Sequence, residues 1–199
     1  MELSAAREMA AEIVRALQTH CERIDIAGSI RRGRPDVGDI DIVAIPRMTS
    51  EQALFSVVAD VGETDFYREL ITMLDSISSE GQKVVRGKMR GVPVDVYLAT
   101  PETWATLLLI RTGSKEHNIW MCERARACGG RLHADGGGLD VPGQYDPILQ
   151  RTVNTKRIKA ETEEEMFLAL GISPVKPELR ECAGGVPVWI SVSGKAQRN

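Results

Sequence analysis

The stretch "GSIRRGRPDVGDIDIVAIP", residues 28 to 46, sets two arginines behind a Gly-Ser pair and two aspartates, Asp39 and Asp41, one residue apart. Ile40, Ile42 and Ile45 give the second half the pattern of a strand, on which both carboxylates project from one face. Carboxylates that close repel each other unless a divalent cation neutralises them. Hard oxygen ligands suit magnesium, which completes its shell with water and substrate phosphates. A third carboxylate, Asp95 in "VPVDVYLA", is flanked by Val94 and Val96. Those neighbours predict burial, which is costly for an aspartate without a partner or a metal. If the two strands lie side by side, the trio converges and can hold two metals for in-line displacement at phosphorus. Gly28 lets backbone N–H groups approach phosphate oxygens, and Ser29 adds a hydroxyl donor. Arg31 and Arg32 bring planar forks of donors. No Gly-Lys-Ser/Thr follows, so this is not a Walker loop. The competing reading is a solvated hairpin with scattered charge. Each motif alone is a weak signal, and it is their combination with Asp95 that favours a phosphate site.

These residues need elements to position them. Residues 4 to 20 carry Ala6, Met9, Ala10, Ile13, Val14 and Leu17 at helical spacing, with Ser4 as N-cap. "RIDIAG" then alternates as a strand running into a Gly28-Ser29 turn, and "GDIDIVAIP" is a second strand. "TSEQALFSVVADVG" and "TDFYRELITMLDSI" read as helices, each opened by a threonine. "KVVRGKMRG" and "VPVDVYLA" read as a hairpin turning near Arg90-Gly91. In "TPETWATLLLIRTG", Thr100 is the expected N-cap, Pro101 the first helical residue and Gly113 the stop. A further helix runs from Ser114 to Gly129-Gly130, and "HADGGGLDVPGQYDP" is a loop or irregular hairpin. "TEEEMFLALG" is a short helix with a capping box from Thr162 to Glu165. After Ala183, "VPVWIS" is a candidate extra strand and "SGKAQRN" a disordered tail. The expected class is α/β (α+β), divided near residue 100 into a mixed half, 1–100, and a smaller, mostly helical half, 101–199.

Composition bounds the rest. At 199 residues, with 43% hydrophobic and 27% charged residues, the chain can bury a core. A net charge of -3 excludes a generally basic nucleic-acid binder but not a local basic groove. Cys21, Cys122, Cys128 and Cys182 lack CxxC spacing, and no basic-apolar leader precedes them, which points to a reducing cytoplasm. No apolar run approaches the ~20 residues a bilayer requires, so no membrane partner is expected.

The run "GSIRRG…VGDIDIV", then "VDVYL", "TGSKEHN" and "TEEEMFLALGISPVKPELRE", resembles the family X DNA polymerases of the nucleotidyltransferase superfamily, over residues 8 to 181. The first part alone marks the superfamily, and the second half carries the resemblance to the family's thumb. It implies a nucleotidyltransferase palm with a mixed, mainly antiparallel sheet flanked by helices, plus a thumb-like subdomain. It also implies roles. Asp39 and Asp41 ligate two Mg2+ ions (Mn2+ substituting), and Asp95 joins the catalytic metal and takes the proton of the primer 3′-hydroxyl. Gly28, Ser29, Arg32 and Gly38 surround the phosphates of the incoming dNTP. Gly113 and Ser114 form the turn under its sugar, and Asn118 reaches the minor-groove edge of its base. Ile110 and Arg111 stand where the family often has an aromatic pair beside the sugar, which predicts weakened rejection of rNTPs. Lys115 replaces a residue often acidic in animal members, and Cys122 one that contacts template as arginine. Pro93 and Tyr97 flank Asp95 where animal members carry arginines.

The expected function is gap filling on primer-template or gapped DNA by a minimal palm-plus-thumb monomer, in a bacterial or phage-infected cell. With 27 residues before Gly28, neither a lyase nor an exonuclease domain is expected. The alternatives are a template-independent nucleotidyltransferase and a silent DNA-end-binding module. DNA contact is expected from Arg86, Lys88 and Arg90, which share one strand face, although a solvated face would read the same way. Lys156, Arg157 and Lys159 form a second, equally ambivalent cluster. Cys122, Cys128 and His133 lack a fourth zinc ligand, so the cysteines are read as helix-packing residues. Trp104, Leu107 and Leu108 read as a core stripe. Trp120 fits either a stacking or a core role, and His117 either a nucleotide contact or a helix cap.

Overall fold

The computed structural model describes residues 1–47, 64–146, 151–153 and 156–181. The helix expected over residues 49 to 62, Cys182 and the tail after Ala183 lie outside the described residues. Helix α1, Leu3–Leu17, buries Ala6, Met9, Ala10, Ile13 and Leu17, the face its periodicity announced. Its N-cap is Glu2 rather than Ser4, because Ala6 N–H already donates to the Glu2 carbonyl. Strand β1, Cys21–Ile26, is followed by a single helical turn, α2, Gly28–Arg31, where a simple turn was expected. Strand β2, Ile40–Pro46, returns antiparallel to β1.

Helix α3, Asp65–Met73, is capped by the Thr64 hydroxyl, which accepts from Tyr67 N–H. It ends before the expected "DSI", because Ser76 pairs with Lys88 and the chain becomes β3, Ser76–Glu80. Strands β4, Val84–Met89, and β5, Val92–Leu98, form the expected hairpin, with Arg90 and Gly91 both at positive φ (51° and 78°). Two such residues make the type I′ geometry that suits the twist of a two-residue hairpin.

The five strands form one mixed sheet in the order β1-β2-β5-β4-β3, with β2 and β5 parallel and the remaining pairs antiparallel. Period two divides its residues between two cores. Ile40, Ile42, Ala44, Val94 and Val96 pack with α1 and α3, while Val43, Ile45, Tyr97 and Ala99 join Trp104, Leu107 and Leu108 on the other side. The last three lie on helix α4, Trp104–Thr112, so they are core, as their spacing indicated. The α4 N-cap is Thr103, not Thr100: residues 100–103 form a preceding turn in which Thr100 N–H donates to the Thr103 hydroxyl.

Helix α4 also turns Ala105, Leu109 and Ile110 into a third core. There they meet helix α5, Lys115–Ala127, and helix α6, Glu163–Ala169. The glycine-rich stretch that read as loop instead forms β6, Arg131–His133, and β7, Gly138–Val141. With β10, Lys156–Ile158, they make a three-stranded sheet, beside a separate pair, β8 (Gln144–Asp146) and β9 (Arg151–Val153). Gly136 sits at φ 89° in the β6–β7 turn, where a Cβ would meet Leu107 Cδ1 at 2.3 Å. Glycine lets that turn lie on α4. Among the described residues no helix is long and apolar enough to cross a membrane.

Candidate active site

Asp41 and Asp95 are register partners on the adjacent parallel strands β2 and β5. Both stand on the α4 side of the sheet, short of the stretch that α4 covers, so an open end of that face carries the carboxylates. Asp39, exposed, is two residues before Asp41 on the chain entering β2. Gly28 closes the other side. Its φ is 58°, and a Cβ there would lie 2.0 Å from Asp41 Oδ2, so no side chain fits. Ala27 N–H donates to the Asp41 carbonyl at 2.8 Å, holding α2 against β2.

The electrostatics are those of an unsatisfied site. The Asp41 carboxyl is pushed up to about 7 by burial, then by the charges of Asp39 and Asp95; Arg111 and Arg32 oppose the shift. Asp95 is half-buried rather than buried, with its side chain 21% exposed. One of its oxygens accepts from Arg86 Nε and from the Tyr97 hydroxyl, each at 2.9 Å. The Tyr97 hydroxyl is itself pushed up to about 12 by burial and the carboxylates beside it. Among the described residues, no three His, Cys, Asp or Glu side chains are placed as a ready-made metal cluster. The donor set still suits a hard cation: three carboxylates at the mouth of one sheet face, one of them holding its proton for want of positive charge.

The phosphate-facing candidates divide into two kinds. The Ser29 hydroxyl is buried and has no hydrogen-bond partner among the described residues, a donor kept in reserve beside Gly28. Arg111 also has a buried Nε without a partner, and its guanidinium lies 4.1 Å from the Tyr97 ring centroid. Gly38 is exposed, with nothing within 4 Å of the place a Cβ would take. Arg32, by contrast, is engaged: Nε donates to Glu181 Oε1 at 2.5 Å, and another nitrogen donates to the Thr112 carbonyl.

A cavity of about 440 Å³ opens beside Asp95, lined by Lys83, Arg86, Tyr97, Leu107, Arg111 and Gly136 among others. Gly113 and Ser114 end α4 and start α5, with the Ser114 hydroxyl capping α5 and also donating to the Arg180 carbonyl at 2.8 Å. Asn118 Nδ2 donates to the Ile110 carbonyl at 2.7 Å, leaving its buried Oδ1 without a partner. His117 is fully buried between Trp120 and Phe167 and is not the cap. Burial, then the Arg180 charge, lowers its pKa to about 4.

Arg86, Lys88 and Arg90 share the exposed face of the hairpin, but not the same freedom. Arg86 holds Asp95, and Arg90 donates to Glu12 at 2.7 Å. In the second basic cluster Arg157 is tied to Asp140, while Lys156 and Lys159 are exposed. The Cys122 and Cys128 thiols face the Leu132 and Leu170 carbonyls.

The sequence did not reveal the joint that holds these parts together. Glu163 at the start of α6 accepts from Arg31 and from Arg180, both at 2.7 Å, and Arg31 also donates to the Thr112 hydroxyl. Burial alone would raise the Glu163 carboxyl, but the two arginines overcome it and leave it below the ordinary range. No periodicity signals this joint, because Arg31 and Glu163 are 132 residues apart.

Residues 107–181 match the family model described as DNA polymerase beta thumb. The chain is 31% identical over 177 residues, 86% of its length, to the DNA polymerase/3'-5' exonuclease PolX of Bacillus subtilis (strain 168). It spans only 26% of that protein, about a quarter. Its fold is similar to that of Leishmania infantum polymerase beta in a ternary P/T complex, with a TM-score of 0.65 and 23% identity over 92% of this chain and 77% of that one. The ternary gap complex of the same protein gives a TM-score of 0.66 and 22% identity over 92% and 71%.

Proposed function

We propose that this chain, related by sequence and by fold to the family X DNA polymerases, adds nucleotides from dNTPs to a primer 3′-hydroxyl on gapped or primed DNA, with pyrophosphate as the leaving group. The observation that carries the reading is the pairing of Asp41 with Asp95 on neighbouring strands, against a glycine whose missing side chain leaves room for Asp41. Asp39, Asp41 and Asp95 are the ligands for two Mg2+ ions, which supply charge neutralisation at the triphosphate and acidify the attacking hydroxyl. Ser29 and Arg32 bind the β- and γ-phosphates, the first with a hydroxyl already stripped of water, the second on release from Glu181. Asp95 receives the 3′-hydroxyl proton. Arg111 lies at the sugar with an uncommitted Nε, where a 2′-hydroxyl can accept from it. Relaxed sugar choice follows from that contact.

Residues 1–100 act as the palm and the rest as the thumb, with α4 belonging to both cores. Gap filling in DNA repair, in the cytoplasm and as a monomer, is the role that fits these parts. A template-independent transferase is the second reading, favoured by Cys122 at a position where template contact would call for a cation.

Extension across a one-nucleotide gap tests the first reading, run with dNTP or rNTP in Mg2+ or Mn2+. Asp41→Asn and Asp95→Asn should each slow single-turnover extension at least roughly a thousand-fold. Either variant extending at the parent rate refutes the site. Incorporation that ignores the base opposite the gap selects the second reading.

A further inference from the structure

Arg86, Asp95 and Asp41 stand directly across from one another on β4, β5 and β2, a row of one cation and two carboxylates on a single sheet face. Cross-strand neighbours of this kind are near enough for charged side chains to meet without rearrangement. Arg86 is the member the family resemblance does not assign to catalysis. It donates Nε to Asp95 Oδ2 at 2.9 Å, and the Tyr97 hydroxyl donates to the same oxygen at the same distance. That oxygen is therefore already hydrogen-bonded twice, and a cation can use it only by displacing a donor. Arg86 is the donor able to leave: its side chain is 45% exposed, whereas Tyr97 is buried beneath the Arg111 guanidinium. Lys88 is on the same face but two residues along β4, opposite Pro93 rather than a carboxylate.

We propose that Arg86 is a resident competitor for Asp95, a positioning residue that holds the carboxylate while the ion site is empty and yields it when a divalent cation binds. The inference rests on the ion-site reading above and adds a competition that sets how much metal the site requires. An arginine committed to DNA phosphate alone would have no such effect on metal affinity.

Mn2+ binding to the full chain, followed by the electron paramagnetic resonance of free Mn2+, tests it. Arg86→Gln should bind the ion roughly ten-fold more tightly than the parent, since a charge-assisted hydrogen bond no longer has to be broken. Tyr97→Phe, which removes the uncharged donor, should gain less. Lys88→Gln, which removes a nearby charge without freeing Asp95, should stay within about two-fold. The half-saturating Mn2+ for gap extension should shift the same way, with the KM for dNTP unchanged. Arg86→Gln binding no tighter than the parent overturns the proposal while leaving the ion site standing. Lys88→Gln tightening as much as Arg86→Gln also overturns it, by reducing the effect to bulk charge. If neither the parent nor Arg86→Gln binds Mn2+, the ion site falls and takes the competition with it.

Discussion

Glu163 and Asp41 are both carboxylates drawn out of water, yet the fold treats them in opposite ways. Glu163 has an arginine on each oxygen and stays ionised. Asp41 has two carboxylates for neighbours, a glycine backbone against it and a pKa of about 7. Arg180, 2% exposed, shows how complete the first arrangement is: it bonds Glu163 and the Val175 carbonyl and lies over the Phe167 ring. A polar group satisfied by its own chain belongs to the structure. One that the chain leaves in deficit marks where something else is meant to bind.

The comparison can be broken first at the joint. Removing one partner of a buried ion pair strands the other charge, at a cost of about 3–5 kcal/mol. Glu163→Ala strands Arg180 and loosens Arg31 together, and should lower unfolding stability by that amount in urea titration. Glu163→Gln keeps the volume and one acceptor oxygen and should lose less. A loss below about 1 kcal/mol for Glu163→Ala would mean that the joint is water-exposed in solution and the contrast false.

The opposite sign is expected at Asp41. Its folded pKa, about 7, lies above the ordinary 3.8, so the folded chain binds that proton more tightly than the unfolded chain. The resulting stability is fully present below about pH 4 and is lost as the pH climbs through 7. Asp41→Asn removes the charge that causes the loss. At pH 8 in chelator the variant should be more stable than the parent, by on the order of 3 kcal/mol, and the gap should close near pH 4. Adding Mg2+ at pH 8 should stabilise the parent and leave the variant unmoved. Parallel stability curves for the two proteins across that range would show that Asp41 is not under strain.

The two regions also differ in how far the sequence disclosed them. The carboxylate site was legible because its parts lie on period-two strands: Asp39 and Asp41 share a face by spacing, and Val94 and Val96 mark Asp95 as half-withdrawn. The β4–β5 hairpin was legible from Arg90-Gly91. The three-stranded sheet of β6, β7 and β10 was not, since strands of three or four residues are too short to alternate and five glycines between Gly129 and Gly138 read as loop. Nor was the joint around Glu163, which is made wholly of contacts distant in sequence. The capping box was half right. The Thr162 hydroxyl accepts from Glu165 N–H, but the Glu165 carboxylate turns to Glu161 N–H rather than back to the cap.

Arg32 stands between the two regimes, and it offers the finest test. The resemblance places it at the triphosphate, while here its guanidinium is held by Glu181 and the Thr112 carbonyl. Glu181 is shared with Arg34 at 3.7 Å and is 27% exposed, so water and a second cation already weaken its hold. A half-exposed ion pair of that kind contributes about 1 kcal/mol or less. If Arg32 must leave Glu181 to reach a phosphate, Glu181→Gln should lower the KM for dNTP by about three-fold and leave kcat alone, because only the bound state gains. If Glu181 instead aims Arg32, the same substitution should raise the KM. The Thr112 carbonyl still accepts from Arg32 in that variant, so the arginine keeps one anchor, and the direction of the change alone separates a tie that must be broken from a prop that must be kept.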